Sequence, residues 1–444
     1  MPSKLAVVVM AGGLGTRMRS STPKHLHPLL GRRMVDWVIE AARTLEPERL
    51  VVVASPETAA EFDGVEVAVQ QSPRGTGDAA AAAQAALDGF DGAILVVPGD
   101  APLVTAELLA EVVEAHHERD PAVTLLSFEP SFPLPYGRIV RDGTGAVVRV
   151  VEERDATPDE RAIRELNASI YAFDAEPLWR ALERLDADNA QGELYLTDAI
   201  EHIVVTGGAA VAHRSDTEPA AFVGVNTRAE LARAAVVLRD RINERHMLAG
   251  TTLVDPSSTW IDGPAELDAD VVVHPFTVIR GRTTVATGAE IGPHAVVDDA
   301  EIGPDARVGP FCYVRPGTVL AAGAKAGTFV EIKNTRVGER SKVPHLSYIG
   351  DAEIGADTNI GAGAITANFP HQPGLPKRRT TVGRNVRTAV HNSFIAPLEI
   401  GDDSWTAAGS VLTDDVPPGS LAGFPPRQVT KEGYVYDHAD GDDD

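Results

Sequence analysis

Beyond Gly250 an aliphatic residue followed by glycine keeps returning: Ile291-Gly292, Ile302-Gly303, Val308-Gly309, Val337-Gly338, Ile354-Gly355, Ile360-Gly361, Val382-Gly383 and Ile400-Gly401. The steps from 302 to 308 and from 354 to 360 are six residues, and that from 382 to 400 is eighteen. One inward aliphatic side chain per hexad, beside a small turn residue, is the pattern of a parallel β-helix. Three hexads close one triangular coil of about eighteen residues, so 251–424 holds about nine or ten coils. A β-sandwich with frequent glycine turns is the competing fold, but it has no reason to keep steps of six and eighteen.

From Lys4 to about Gly224 the pattern is different. Leu5–Met10, Leu50–Ala54 and Ala93–Val97 are short unbroken apolar runs, the kind that form strands buried on both faces. Helices are predicted over Met34–Leu45 and the alanine-rich Asp78–Leu87 between them. This alternation predicts a doubly wound α/β domain that binds its ligands at the carboxyl ends of the strands. Thr227–Ala249 has no Gly or Pro inside it and reads as a connecting helix. The expected organisation is a first domain over 1–226, a connecting helix over 227–250 and a β-helix over 251–434. The acidic tail, 435–444, is expected to be disordered.

A chain of 444 residues allows two or three domains. No apolar stretch approaches the roughly 18 residues that a membrane span needs. The opening MPSKLAVVVMAGG reads as a first strand rather than a signal peptide. Cys312 is the only cysteine, which excludes an internal disulfide, suits a reducing cytoplasm and is expected to be a small buried hydrophobe. The formal net charge of −24 argues against nucleic acid, whose phosphates demand a basic surface. Cations that cluster despite this background mark candidate sites for anionic ligands.

The first such cluster follows the first strand. Ala11-Gly12-Gly13-Leu14-Gly15-Thr16-Arg17-Met18 is a glycine-rich turn, and Arg19 and Pro23-Lys24 come soon after. Glycines let backbone N–H groups approach a phosphate, and a following helix would add its positive end. A solvated surface patch is the bland alternative.

The runs AGGLGTRM and TPKHLHPLLGRRM resemble the signature of sugar-1-phosphate nucleotidyltransferases. More narrowly, from about Val7 to Tyr434 the chain resembles the bacterial bifunctional N-acetylglucosamine-1-phosphate uridyltransferase/glucosamine-1-phosphate acetyltransferase family. The resemblance implies a nucleotidyltransferase domain followed by a left-handed β-helix, UTP and acetyl-CoA as co-substrates, Mg²⁺, sugar phosphates as ligands and a homotrimer. In the first half Arg17 and Lys24 match the pair that holds the phosphates, and Ala11, Gly12, Gly13 and Gly99 match further nucleotide contacts. Gln70, Gly75 and Thr76, in VQQSPRGTGDA, match the segment that recognises uracil. Asp100 in VVPGDAPL and Asn226 in VGVNTR match the two Mg²⁺ ligands. Gly137, Glu152, Asn167, Tyr195 and Thr197 match sugar-binding positions. Oxygen donors and few protein contacts suit Mg²⁺, and phosphoryl transfer needs charge neutralisation more than a strong base.

A second cationic cluster lies in the repeats: Arg315, Lys325, Lys333, Arg336 and Lys342, then Lys377, Arg378 and Arg379. By the same resemblance His345, in KVPHLSYIGDAEIG, is the catalytic base, with Tyr348 nearby. Arg315, Lys333, Tyr348 and Asn359 match the acetyl-acceptor site, and Ala362, Asn368, Ala407 and Arg427 match the acetyl-CoA site. In that role a neutral imidazole at His345 accepts the proton of an attacking amine, and a backbone N–H near Ala362 stabilises the oxyanion.

The departures from the family also fall here. After Asn368 the family usually has Tyr-Asp-Gly and soon a lysine, whereas this chain runs Phe369-Pro370-His371-Gln372-Pro373-Gly374-Leu375-Pro376-Lys377, about three residues longer. The family's Gly-Ser-Asp is replaced by Ala389-Val390-His391, which removes a hydroxyl at the acetyl-CoA site. The leading expectation is a bifunctional enzyme of UDP-N-acetylglucosamine synthesis. The alternatives are a nucleotidyltransferase whose β-helix only assembles trimers or acylates another acceptor, and a silent subunit that merely binds sugar nucleotides.

Overall fold

A computed structural model describes the chain except residues 1–3, 14, 132–133, 218–220, 223, 371–373, 424–427, 433 and 435–444. Arg427, the acidic tail and part of the proline-rich loop therefore lie outside the described residues. The chain divides into two compact units, residues 1–238 and 239–444.

In the first unit the apolar runs become adjacent strands. β1 (Leu5–Ala11) lies between β2 (Arg49–Ala54) and β4 (Ala93–Pro98), parallel to both, and β3 (Glu66–Val69) extends the sheet beyond β2. Beyond β4 come β8 (Leu166–Asp174), β5 (Val123–Phe128) and β9 (Ala210–Arg214). β8 runs antiparallel to β4 and β5, so the sheet is mixed rather than parallel throughout. β6 (Arg138–Arg141) and β7 (Val147–Val151) form a hairpin that joins at β8. Val7, Val9, Val52, Leu95 and Val97 face one apolar layer, while Ala6, Val8, Val51, Val53 and Val96 face the other. The alternation of strand side chains explains why both sets are apolar: each face of the sheet is covered. α1 (Met34–Arg43) covers the first face with Val35, Val38, Ile39 and Ala42. The alanine-rich stretch forms α2 (Thr76–Ala82) and a short 3₁₀ turn, Ala85–Leu87, against the second.

A 21-residue helix, Arg228–Leu248, crosses the boundary between the units. In the first unit its Leu231, Ala234 and Leu238 pack with Leu29, Met34 and Leu103. In the second unit Asn243, fully buried, donates to the carbonyls of Pro256 and Thr259, both at 2.9 Å. Those bonds satisfy backbone acceptors at the first coil, which has no coil beneath it.

The second unit is a left-handed parallel β-helix with three flat faces. Its second face carries nine strands from Trp260–Ile261 to Val411–Leu412, and its third carries eight from Glu266–Leu267 to Leu398–Ile400. The first face runs from Thr252–Leu253 to Lys342–His345 and continues through single bridges joining Lys342, Asn359, Arg387 and Trp405. Up to Ile354 neighbouring rungs lie 17 or 18 residues apart, as in Glu290 with Arg307 and Arg307 with Lys325, whereas across the longer loop Ala352 pairs with Thr380 and Ile365 with Ser393. Ile279, Val297, Val314 and Ile332 form one inward column, each fully buried. The recurrent glycines are spacing devices: at Gly355 an added Cβ would stand 2.5 Å from the Arg384 nitrogen of the next coil. At one corner Phe276, His294, Phe311 and Phe329 stack on one another, with ring centroids 4.8–5.4 Å apart. Cys312 is buried, and burial pushes its thiol up to about 12. No helix among the described residues is long and apolar enough to cross a membrane.

Truncating the inward column tests this packing. Ile332→Ala should cost about 2–5 kcal/mol in the unfolding transition of the β-helix, followed in denaturant by circular dichroism.

Candidate functional sites

β1, β3 and β4 deliver their carboxyl ends to one cleft, at the point where the chain reverses its order of strand addition. The cleft has a volume of about 420 Å³, and Ala11, Gly12, Gly13, Lys24, Gln70, Gly75, Thr76, Gly99 and Asp100 line it. Gly15 has φ +65°, and a Cβ there would overlap that of Lys24, so glycine permits both the turn and the approach of the lysine. The turn closes as a three-residue 3₁₀ segment, Thr16–Met18, and not as the longer helix expected after it. Left-handed residues at both its ends, Gly15 and Arg19, prevent a regular helix from propagating. Arg19 is exposed and is not among the residues lining the cleft.

The Lys24 ammonium sits between two oxygens from distant parts of the chain. It forms an ion pair with Asp100 Oδ2 and donates to Asn226 Oδ1 at 2.9 Å. Arg17 Nη2 also donates to Asn226 Oδ1, at 2.8 Å. Asn226 is fixed from behind, since its N–H and that of Thr227 both donate to Glu230 Oε2 at 2.8 Å. Asp100 is fixed too: its carbonyl accepts from Val225 N at 2.8 Å. Two hard oxygens that share one ammonium lie within reach of a single small cation. Among the described residues no group of three or more His, Cys, Asp and Glu gathers as a metal cage. A site with two protein oxygens, completed by phosphates and water, fits Mg²⁺ better than Zn²⁺.

The sugar-binding candidates form a neighbouring group. Thr197 Oγ1 donates to Glu152 Oε1 at 3.0 Å, and burial pushes the Glu152 carboxyl above its ordinary range. Asn167 is buried and donates to Tyr171 Oη at 2.7 Å, while its N–H donates to the Gly137 carbonyl at 2.9 Å. Tyr195 Oη accepts from Gln191 Nε2 at 2.8 Å. The segment that carries Tyr195 and Thr197 is tied to the edge of the nucleotide cleft: Leu196 N donates to Thr76 Oγ1 at 3.0 Å, Leu194 N to the Arg74 carbonyl at 2.7 Å, and Gly77 N to the Leu194 carbonyl at 2.8 Å. Asp198, on the same segment, is pushed up to about 6, chiefly by burial and then by Glu201.

Two residues escaped the sequence reading, one in the cleft and one behind Gln70. His25 lines the cleft almost fully buried, stacked on Phe62, with no partner for Nε2 among the described residues. Burial, with Lys24 beside it, brings its imidazole down to about 4 and keeps it neutral. Asp78 accepts hydrogen bonds from both Gln70 and Arg74. A lone histidine beside a lysine, and an aspartate on an alanine-rich helix, give no sequence signal of their own.

In the β-helix the candidates fall on two faces. Arg315, Lys333 and Tyr348 belong to the second face, and Asn368 follows it. Lys377 stands beside Lys333, and that ammonium, with Arg315 further off, lowers the pKa of Lys333. The longer loop therefore still returns a lysine to this cluster. Arg315 Nη1 is held by Glu331 at 2.6 Å. A Cβ at Gly350 would stand 2.5 Å from Tyr348 Oη and 2.7 Å from Asn368 Nδ2, so glycine lets those two groups converge. Asp351 holds Asn334 Nδ2 at 2.6 Å and also accepts from Asn368 Nδ2.

His345 ends a first-face strand at the corner leading to Tyr348, exposed and with its ring bonded to no described residue. The carbonyl of His345 accepts from Gly363 N at 3.3 Å, and the Ala362 N–H donates to no described residue. Asn359, by contrast, is bridged to Lys342 and Arg387 on the first face, away from the Arg315 and Lys333 column. Ala407 follows Trp405–Thr406, further along that face. Phe369 and Val390 are both exposed.

A family model described as the MobA-like NTP transferase domain matches residues 7–233. Over 97% of its length the chain is 45% identical to the bifunctional protein GlmU of Mycolicibacterium vanbaalenii, covering 92% of that relative. It is 46% identical to the bifunctional protein GlmU of Streptomyces avermitilis, over 97% of this chain and 94% of the relative. For that of Caldanaerobacter subterraneus subsp. tengcongensis the identity is 41%, over 97% and 98%. With nearly full-length coverage in both directions, the chain belongs to the GlmU family of bifunctional proteins.

Proposed function

We propose that the chain catalyses two consecutive steps of UDP-N-acetylglucosamine synthesis. The β-helix acetylates glucosamine-1-phosphate with acetyl-CoA. The first unit then transfers UMP from UTP to N-acetylglucosamine-1-phosphate and releases pyrophosphate. The observation that carries the second reaction is the meeting of Lys24, Asp100, Asn226 and Arg17 at the mouth of the glycine turn.

In uridylyl transfer the sugar phosphate is already an anion, so the protein has to align it and neutralise charge on the α-phosphate. Arg17 and Lys24 supply fixed positive charge, and the glycine turn admits the phosphates to backbone N–H groups. Asp100 and Asn226 would hold Mg²⁺, which supplies charge neutralisation when bound. Lys24 then exchanges its contacts with those two oxygens for phosphate. Glu152, Asn167, Gly137, Tyr195 and Thr197 hold the sugar.

In acetyl transfer the amine nitrogen bonds to the thioester carbonyl carbon, the C–S bond breaks and the thiol leaves. His345 takes the proton from the amine, and the N–H of Ala362, which donates to no described residue, steadies the oxyanion. Arg315, Lys333 and Tyr348 bind the acceptor, its phosphate lying against the cations. Asn368, Ala407 and Arg427 serve acetyl-CoA. Asn359 stands on another face of its own chain, which supports a homotrimer whose sites are shared between subunits. A cytoplasmic setting suits a chain with a single, buried cysteine.

Lys24→Ala should lower uridylyl transfer by a hundredfold or more, an effect on the order of removing one oriented charge at a phosphate, and spare acetylation. His345→Ala should do the reverse, with acetyl transfer down about 10²–10⁴-fold. Pyrophosphate release and thiol release read the two activities separately, and equal loss of both in either variant would contradict separate sites. The same thiol assay on the unaltered chain separates a catalytic β-helix from one that only assembles subunits. Light scattering should give three times the chain mass; a monomer would remove the shared-site arrangement.

A further inference from the structure

The side chain of Gln70 is almost fully buried at the end of β3. Its Nε2 donates to Asp78 Oδ2 at 2.8 Å and to the Gly75 carbonyl at 3.2 Å. A carbonyl and a carboxylate are acceptors only, so the nitrogen of the amide has to face them. A flipped amide would set three oxygens against one another. Asp78 is itself held in register, because Arg74 occupies its other oxygen, Oδ1, through Nε at 3.1 Å and Nη2 at 2.6 Å. Oε1 of Gln70 is left on the opposite side, packed against Gly12, where a Cβ would overlap it. No donor among the described residues reaches Oε1. The N–H groups of Gly12, Gly13, Gly75 and Thr76, which line the same cleft, likewise donate to no described residue.

We propose that Asp78 is a positioning residue that locks the Gln70 amide with its oxygen toward the base, and so sets the choice of a uracil-type ring over cytosine. The inference rests on the uridylyl-transfer reading of this cleft. A fixed acceptor flanked by backbone donors complements an imide, in which one N–H lies between two carbonyls. Uracil and thymine carry that arrangement. Cytosine carries a bare acceptor nitrogen in place of the N–H, and it would face the Gln70 oxygen lone pair to lone pair. Asp78 touches no base in this scheme; it acts through Gln70 alone.

The test is the ratio of kcat/KM for UTP to that for CTP, measured by pyrophosphate release with N-acetylglucosamine-1-phosphate. In Asp78→Ala the amide is free to turn, and the ratio should fall about tenfold, the worth of one hydrogen bond. Asp78→Asn fills the same space but lets the two amides settle either way round, so its ratio should fall to an intermediate value. Arg74→Ala leaves the Asp78 acceptor in place and should keep most of the discrimination. An unchanged ratio in both Asp78 variants, with equal losses for the two nucleotides, would overturn the proposal and leave Asp78 a structural residue. A fall in Arg74→Ala as large as that in Asp78→Ala would also overturn it, assigning the effect to loop order. An unaltered enzyme that turns over neither pyrimidine nucleotide would instead strike the uridylyl reading itself.

Discussion

At Gly15 a side chain would overlap the stem of Lys24, at Gly12 it would overlap the Gln70 amide, and at Gly355 it would press on the backbone of the next coil. Close approach without a Cβ is the constraint that both units share. In the first unit it lets a cation and an amide lie directly on the backbone that follows β1. In the second it sets the distance between coils, and that distance places Tyr348 beside Asn368 across Gly350. Once the backbones are this near, hydrogen bonds of ordinary length fix the remaining groups.

Charge is distributed in the same economical way. The chain has 40 Lys and Arg against 64 Asp and Glu, so an anionic ligand meets a repulsive surface before it meets a site. Each site answers with locally concentrated cations held by acidic partners. Lys24 rests on Asp100 and Asn226, and Arg315 rests on Glu331. The partners fix the geometry and reduce the repulsion between cations until a phosphate arrives. Lys333 and Lys377 are the exception, since they face each other directly. Two neighbouring ammonium groups favour a ligand that carries negative charge between them.

Much of this was legible from residue patterns. The six-residue steps revealed the β-helix because an inward aliphatic column demands that period, and the apolar runs at Leu5, Leu50 and Ala93 marked strands covered on both faces. Antiparallel β8 was not legible, since a strand buried in mixed pairing has the same composition as one in parallel pairing. The helix anticipated after the glycine turn failed because neither Gly15 nor Arg19 takes a helical conformation, and backbone handedness at an arginine leaves no mark in composition. Motif resemblance named Lys24, Asp100 and Asn226, but that one ammonium joins the other two is a matter of tertiary contact. Asp78 and His25 were missed for the same reason.

The first coil is closed by Asn243, while the last coils, near Trp405 and Leu421, have no such stopper among the described residues. A solenoid is close to a one-dimensional system in which each coil is stabilised mainly by the two beside it. Loss of order should then advance from the open end like a zipper, with protection against hydrogen exchange increasing toward the helix-capped end. The Ala407 coil lies nearer that fraying edge than the His345 coil does. Hence a ligand that bridges the two would do more than occupy a groove: it would fasten the loosest coils of the stack to firmer ones below.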